Sequence, residues 1–412
     1  MTDPDINLTS ETEDTIMEPL QTIFSSDYPT EKPALLIPEG DITNAAAVIE
    51  DTVPQEALEK GKAFSQEITE RFIADFEKPQ TDLMAHVSTF LEADGIIYMT
   101  YYANTESAAE DPNHQCARLA YCPSDDPAKM TVLDIQAVGD ICGGRRINLV
   151  YDTILARADA DTLYILWTAM AGDTYYRLYR PFYLSTKTLG EIGVNRFRAG
   201  ETENDFSTTG IVSALSENGL GYKKMFSDIG IMQKFTTREE DGVLWYYTGT
   251  YSGDWNAIIK SRDFITWEFV AQPDFPNHSL WENAVYVLGS RCFYFVRQHD
   301  TQTPYGFLTV YDLEKKTWDV PVLIADCQSR SDFLYYRDRL YLFHAPIDRE
   351  HIGIVHVDTD NIANSRVLLQ AKMDTSCFYP FIQFMEDGGT AMSYTVARKH
   401  IRMARFSMDA YV

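Results

Sequence analysis

Six polar residues each stand at the head of an apolar, strand-like run: His86, Asp152, Asp228, Glu282, Arg330 and Tyr379. Each run closes on a tight turn, marked in order by Asp94, Asp161, Asp241, Ser290, Asp338 and Asp387. The side-chain types form a chemical set. Asp152, Asp228 and Glu282 supply carboxyls, and cleavage of a glycosidic bond needs one protonated and one ionised group across the scissile bond. Crowding of like charges would raise one of these pKa values into the range of an acid. Arg330 suits bidentate capture of a substrate carboxylate. Tyr379 suits a nucleophile or proton carrier once a neighbouring carboxylate takes its proton. His86 suits a base near neutral pH.

These residues act together only if the chain brings them to one place. The flanking sequence repeats. HVSTFLEADGIIYMTYYAN from 86, DTILARADADTLYILWTA from 152 and DIGIMQKFTTREEDGVLWYYTG from 228 share a polar start, an apolar strand, a charged turn and an aromatic second strand. ENAVYVLGSRCFYFVRQ from 282, RSDFLYYRDRLYLFHAP from 330 and YPFIQFMEDGGTAMSYTVA from 379 follow the same plan. A repeat of roughly 50 to 75 residues with this content predicts the blades of a β-propeller. The third copy reads as a four-stranded meander over 228–237, 243–251, 255–261 and 266–272. Six copies predict an all-β, six-bladed propeller, with five blades as the runner-up if one copy is an insertion, and a β-sandwich as the competing architecture. The last copy is one strand short, so an N-terminal segment is expected to close the ring.

In a propeller the innermost strands start beside the axis. Polar groups gathered there without partners would desolvate one another, so their convergence favours a small polar ligand. The competing reading is that they cap the inner strands around a water-filled channel. The turn in SRDFITW, residues 261–267, falls between the third and fourth strands of its blade and is read as scaffold, with Asp263 bonding turn amides.

Weaker candidates lie around the same rim. Trp281 precedes Glu282 and could stack on a sugar face, or simply pack between blades. Arg118, Arg349 and Arg398 are candidate substrate-binding cations whose alternative role is surface ion pairing. HAPIDREH, residues 344–351, gathers His344, Asp348, Arg349 and His351, but its spacing matches no standard metal site, and a solvated loop is the simpler reading. No metal or cofactor is expected. Gly143-Gly144-Arg145-Arg146 is a turn rather than a phosphate loop.

The chain has 412 residues and a formal net charge of −26, which disfavours nucleic acid and anionic membranes as partners. Fourteen of its 61 acidic residues fall within positions 1–60, against only Lys32 and Lys60. Residues 1–53 read as an acidic extension, partly ordered and lending a strand through Ala34-Leu35-Leu36-Ile37. Residues 55–77 read as one amphipathic helix within a segment 54–79 that packs on the propeller, itself residues 80–412. The six cysteines read as buried thiols. No apolar run reaches membrane-spanning length, and the start lacks the apolar core of a secretory signal, so a cytoplasmic location is expected unless a signal has been removed.

Two groups of sugar-active propellers resemble this pattern. Arg330 in SRSDF, Tyr379 in CFYPFIQF and Glu282 in LWENAVYV resemble the order seen in the sialidase and BNR-repeat superfamily. That resemblance implies a carboxylate-binding arginine, a tyrosine nucleophile and the glutamate that activates it, with Asp111 as the acidic residue of the first-blade loop. The chain departs from the pattern in starting its first blade with His86 where an arginine is expected. SRDFITW is also one residue short of a full Asp-box. The order Asp152, Asp228, Glu282 and the SRDFITW turn resemble arabinanase- and fructosidase-like propellers. His86 and Tyr379 resemble the pairs used by propeller rhamnosidases and polysaccharide lyases. The expected function is therefore an exo-acting glycoside hydrolase acting on a small oligosaccharide, acidic if Arg330 binds a carboxylate. The alternatives are a lyase acting by β-elimination on a uronate, and a sugar-binding propeller without catalysis.

Overall fold

The computed structural model describes residues 23–25, 40, 42–49, 52–222, 229–253, 255–276, 280–298, 305–327, 329–346 and 348–412. Its strands form six sheets. Blade 1 runs through Met84–Ala93, Ile96–Asn104, Gln115–Pro123 and Thr131–Ala137. Blade 2 has Arg145–Arg157, Thr162–Ala171 and Thr174–Tyr183, edged by two short strands. Blade 3 has Ile229–Glu240, Val243–Ser252, Trp255–Ser261 and Thr266–Ala271. Blade 4 has Leu280–Leu288, Arg291–Gln298, Tyr305–Asp312 and Val322–Ala325. Blade 5 has Asp332–Tyr336, Arg339–His344, His351–Val357 and Arg366–Lys372. Blade 6 has Cys377–Phe384, Thr390–Val396 and His400–Phe406. The innermost strand of each blade touches the next blade in turn, and that of blade 1 packs on blade 6, so the arrangement is a closed propeller.

The outermost strand of blade 6 is Phe72–Phe76, antiparallel to His400–Phe406. The two ends of the ring are thus locked within one sheet, which removes an edge. This corrects the expectation of a single helix over 55–77. Helix α1 covers Gln55–Glu70 only. In Phe72-Ile73-Ala74-Asp75-Phe76, Ala74 and Phe76 are buried at alternate positions, as in a strand lying on a core. Helix α1 buries Ala57, Gly61, Phe64 and Ile68 against blades 5 and 6. Gly61 is required there: a Cβ would stand 1.8 Å from the Gln370 carbonyl oxygen.

In the extension, the segment 34–37 lies outside the described residues. Val48–Ile49 pairs in parallel with Leu323 and Ile324 on the outside of blade 4, and Phe24 enters the core of blades 1 and 2. A second helix, α2 at Thr208–Glu217, was not anticipated. Ser207 caps it by accepting from the Gly210 amide, and Ile211, Ala214 and Leu215 are buried against the strands added to the edge of blade 3. All six cysteines are buried and free. Among the described residues no helix is long and apolar enough to cross a membrane.

Candidate active site

The inner strands are irregular at the positions that face the axis. Register shifts fall between His86 and Thr89, Tyr151 and Ile154, Met232 and Thr236, Leu280 and Asn283, and Phe378 and Phe381. A bulge of this kind adds a residue and re-aims its side chain. The backbone pays locally: Val87, Asp152 and Tyr379 sit at φ values of 55°, 44° and 54°. Neighbouring polar groups hold these bulges. Arg177 donates to the Asp152 carbonyl over 3.0 Å. Thr395 Oγ1 accepts from the Val87 amide at 3.2 Å and lies 3.0 Å from His86 Nδ1. Asn283, beside Glu282, donates to the Thr250 carbonyl and to Asn256 Oδ1. That contact needs a bare backbone opposite, because a Cβ on Gly249 would lie 1.8 Å from Asn283 Oδ1.

Around the axis these devices gather one connected set. The Tyr379 hydroxyl donates to Glu282 Oε1 at 2.6 Å. Arg297 Nη1 donates to Glu282 Oε2 at 2.6 Å and lies 3.4 Å from the Tyr379 oxygen. The His86 ring stacks on the Tyr379 ring, with centroids 4.8 Å apart and planes 19° apart. Tyr251 donates to Asp152 Oδ2 at 2.6 Å, and Arg330 Nη1 stands 3.8 Å from Asp152 Oδ1. Glu282, Tyr379, His86, Asp152, Arg297 and Arg330 are all buried. Arg330 is 1% exposed, and among the described residues none of its three guanidinium nitrogens has a hydrogen-bond partner.

The electrostatics follow from this packing. Burial pushes the Glu282 carboxyl up, but the Arg297 charge and the Tyr379 and Arg297 hydrogen bonds outweigh it and hold the group below its ordinary value. Glu282 is therefore ionised at neutral pH and is not a carboxyl raised by crowding. The physical reason is that its close neighbours are a cation and a phenol rather than a second carboxylate. Burial, then the Glu282 charge, raises the Tyr379 phenol. Burial, then the charges of Arg398, Arg349 and Arg330, lowers His86 well below 6.5. His86 is thus a neutral imidazole.

Not every expected residue joins this set. Asp228 lies outside the described residues, and the blade 3 position eight before its turn residue Asp241, as His86 is eight before Asp94, is Gln233. Trp281 lies in the blade 4 inner strand, and its side chain lies outside the described residues. Arg118 is on the third strand of blade 1, tied to Asp82 at 2.9 Å and to Asp134. The structure does not bring it to the axial set, because a buried guanidinium on that strand finds its carboxylates within its own blade. Arg349 and Arg398 lie at the rim, both over the Phe378 ring. Asp111 is turned into its own loop, where it accepts from the Asn113 amide at 3.1 Å. Its neighbour Glu110 faces the site instead, accepting from the Tyr102 hydroxyl and pairing with Arg398 at 3.1 Å. In the 344–351 loop, Asp348 pairs with His351 at 2.7 Å, and among the described residues no cluster of three metal-ligating side chains occurs.

Arg297, Tyr251 and Glu110 are the residues that sequence reasoning missed. Arg297 carried a signal. CFYFV is an unbroken apolar run, buried on both faces of its strand, and a charge that follows it while still buried marks a position with a special partner.

No family model and no curated protein sequence matches this chain. Its structure is similar to solved sialidases. A Trypanosoma rangeli sialidase in complex with 2,3-difluoro-KDN superimposes with a TM-score of 0.53 at 14% identity, over 81% of this chain and 58% of that one. The NanB sialidase of Streptococcus pneumoniae gives a TM-score of 0.53 at 9% identity, over 83% of this chain and 71% of that one. The chain thus spans 58% of the length of the trypanosomal protein. At these identities the likeness is one of fold: the chain has a sialidase-like β-propeller.

Proposed function

We propose that this protein is an exo-acting glycoside hydrolase that removes a terminal acidic sugar. The observation that carries this reading is the bond between the buried Tyr379 phenol and the buried, ionised Glu282. A free phenol of raised pKa is a poor nucleophile. Bonded to a carboxylate that can take its proton, it attacks as that proton leaves, and no separate carboxylate nucleophile is needed.

In this mechanism the Tyr379 oxygen forms a bond to the anomeric carbon while its proton passes to Glu282. The bond to the leaving oxygen breaks, and that oxygen takes a proton from Glu110. Glu110, with 27% of its side chain exposed, can exchange protons with water. A water then gives its proton to Glu110 and attacks the anomeric carbon, and Tyr379 departs with the proton held on Glu282. Two displacements retain configuration. Arg330 receives the carboxylate of the sugar, helped by Arg297, and Asp152 holds Arg330 in place. His86 packs against the nucleophile.

The test is release of a terminal sugar from oligosaccharides ending in a nonulosonate or a uronate. Tyr379→Phe should lower turnover by more than about 10³-fold and Glu282→Gln by about 10² to 10⁴-fold, with folding intact. Near-native rates in both variants would sink the assignment. An ultraviolet signal of unsaturated uronate would establish a lyase instead, and binding without turnover would establish a sugar-binding propeller.

A further inference from the structure

We propose that the far end of the propeller axis holds a second ligand site, which takes a small, flat, uncharged heterocycle with an amide-like edge. Its residues follow the axial ones along the same inner strands. Tyr286 lies four residues beyond Glu282, Leu334 four beyond Arg330 and Gln383 four beyond Tyr379. At about 3.3 Å per residue, four residues carry a strand roughly 13 Å from the axial set. A buried plug divides the two ends. Asp332, 1% exposed, accepts from the Phe333 amide at 2.9 Å and the Ile382 amide at 2.8 Å, and pairs with Lys234 at 3.0 Å. Lys234 also donates to the Phe333 carbonyl at 2.5 Å. Asp332 falls between Arg330 and Leu334, and Ile382 between Tyr379 and Gln383, so this bridge stands between the two sites.

Beyond the plug the channel opens into two adjoining lobes of about 240 and 220 Å³. Lys234, Phe235 and Gln383 line both. The first adds Tyr286, Tyr335 and Phe384, and the second adds Phe90, Tyr246 and Phe264. Aromatic walls of this kind hold a flat ring by offset or edge-on contact. Tyr286 and Tyr335 stack with centroids 6.0 Å apart. Phe384 stands at the mouth of the first lobe, 43% exposed, an apolar face that an entering ring would cover. A volume of about 240 Å³ is below that of a pocket for a drug-sized molecule, so the lobe suits one ring system rather than an oligosaccharide.

The polar groups of the first lobe narrow the class further. Among the described residues neither the Gln383 side-chain amide nor the Tyr286 hydroxyl makes a hydrogen bond. A primary amide offers a donor and an acceptor in one plane, so it matches a ring edge that sets a donor beside an acceptor. The charges select against ions. The Lys234 ammonium is answered by Asp332, so an anion in the lobe would meet the carboxylate and a cation would meet the ammonium. Either would lose its water without gaining a free counter-charge. An uncharged ring avoids that cost.

The experiment measures binding of adenine, uracil and nicotinamide to the full chain by ligand-observed NMR titration, with dihydrouracil as the non-aromatic control. At least one of the three should bind with a dissociation constant of about 0.1 to 1 mM, as expected of a ring of this size. Dihydrouracil keeps the amide edge but loses the flat ring, and should bind at least about tenfold more weakly than the best of them. Gln383→Leu should weaken binding of that best ring about tenfold, and the exposed Phe384→Ala about three- to tenfold. Glu282→Gln and Arg330→Met should leave it unchanged. Failure of all three rings to bind, equal binding of dihydrouracil, or binding unchanged in both Gln383→Leu and Phe384→Ala overturns the site. Binding lost in Glu282→Gln or Arg330→Met would put the ring at the axial set and overturns it as well.

Discussion

Arg330 presents a cost that its neighbours do not offset. The side chain is 1% exposed; among the described residues its nearest carboxylate oxygen is 3.8 Å away and no nitrogen is hydrogen-bonded. Glu282 and Arg297 are also buried, but they bond each other at 2.6 Å. A buried charge with partners of that kind can break even, whereas one without them is a liability in the folded state. The liability makes sense as preorganisation for a carboxylate. Arg330→Met should therefore leave stability unchanged or raise it by about 1 to 4 kcal/mol in urea unfolding, while abolishing capture of acidic sugars. A clear loss of stability would mean that the arginine serves the fold. His86, Arg330, Glu282 and Tyr379 were legible as residues because each is polar at the head of an apolar run. Which of them bond was not, since the partners of Glu282 are 15 and 97 residues away in sequence. The lowered value of Glu282 was not legible for the same reason: the sign of a shift depends on the nearest charge.

Strands and turns were legible where the pattern is periodic. The blade 3 strands at Val243–Ser252, Trp255–Ser261 and Thr266–Ala271 fall within a residue of the boundaries read from alternation. The turn in SRDFITW is the local device expected. Asp263 Oδ1 accepts from the Ile265 and Thr266 amides at 2.8 Å each, and Trp267 is fully buried. Helix α1 ran too long in the reading because apolar residues continue past Glu70, and a period of 3.6 is hard to tell from a period of 2 over five residues. What decides the boundary is the pairing of Phe72–Phe76 with blade 6. Helix α1 sits so close to blade 5 that Gly61→Ala would drive a methyl group into the Gln370 carbonyl. That substitution should destabilise by about 1 to 3 kcal/mol, despite the better helix propensity of alanine. A stabilised variant in thermal unfolding would show that the helix can move off the sheet.

The whole ring answers to pH through its buried imidazoles. His344 is buried, with its Nδ1 unpartnered among the described residues, and burial lowers its pKa to about 4. His86 is shifted in the same direction by burial and by three arginines. Both are neutral in the folded protein and take up protons near 6.5 when unfolded, so the unfolded chain binds more protons between pH 4 and 6.5. Stability is therefore full above about pH 6.5 and falls as pH drops, by roughly 1.4 kcal/mol per pH unit for each imidazole. The lowered Glu282 adds a loss of the same sign below 4.5. Urea midpoints from pH 7.5 to 5 should show this slope, and His344→Asn should flatten it; an unchanged slope in that variant would place the titration elsewhere. The amino-acid sequence by itself determined the repeat, the propeller and the polar heads of its inner strands, because these depend on local alternation and turn chemistry. Only the tertiary structure decided that Arg297 joins Glu282 and Tyr379, that Glu110 rather than Asp111 faces the axis, and that Arg118 stays within its blade. Those outcomes depend on bulges and on contacts between blades, and both are set by packing over long separations that no local pattern encodes.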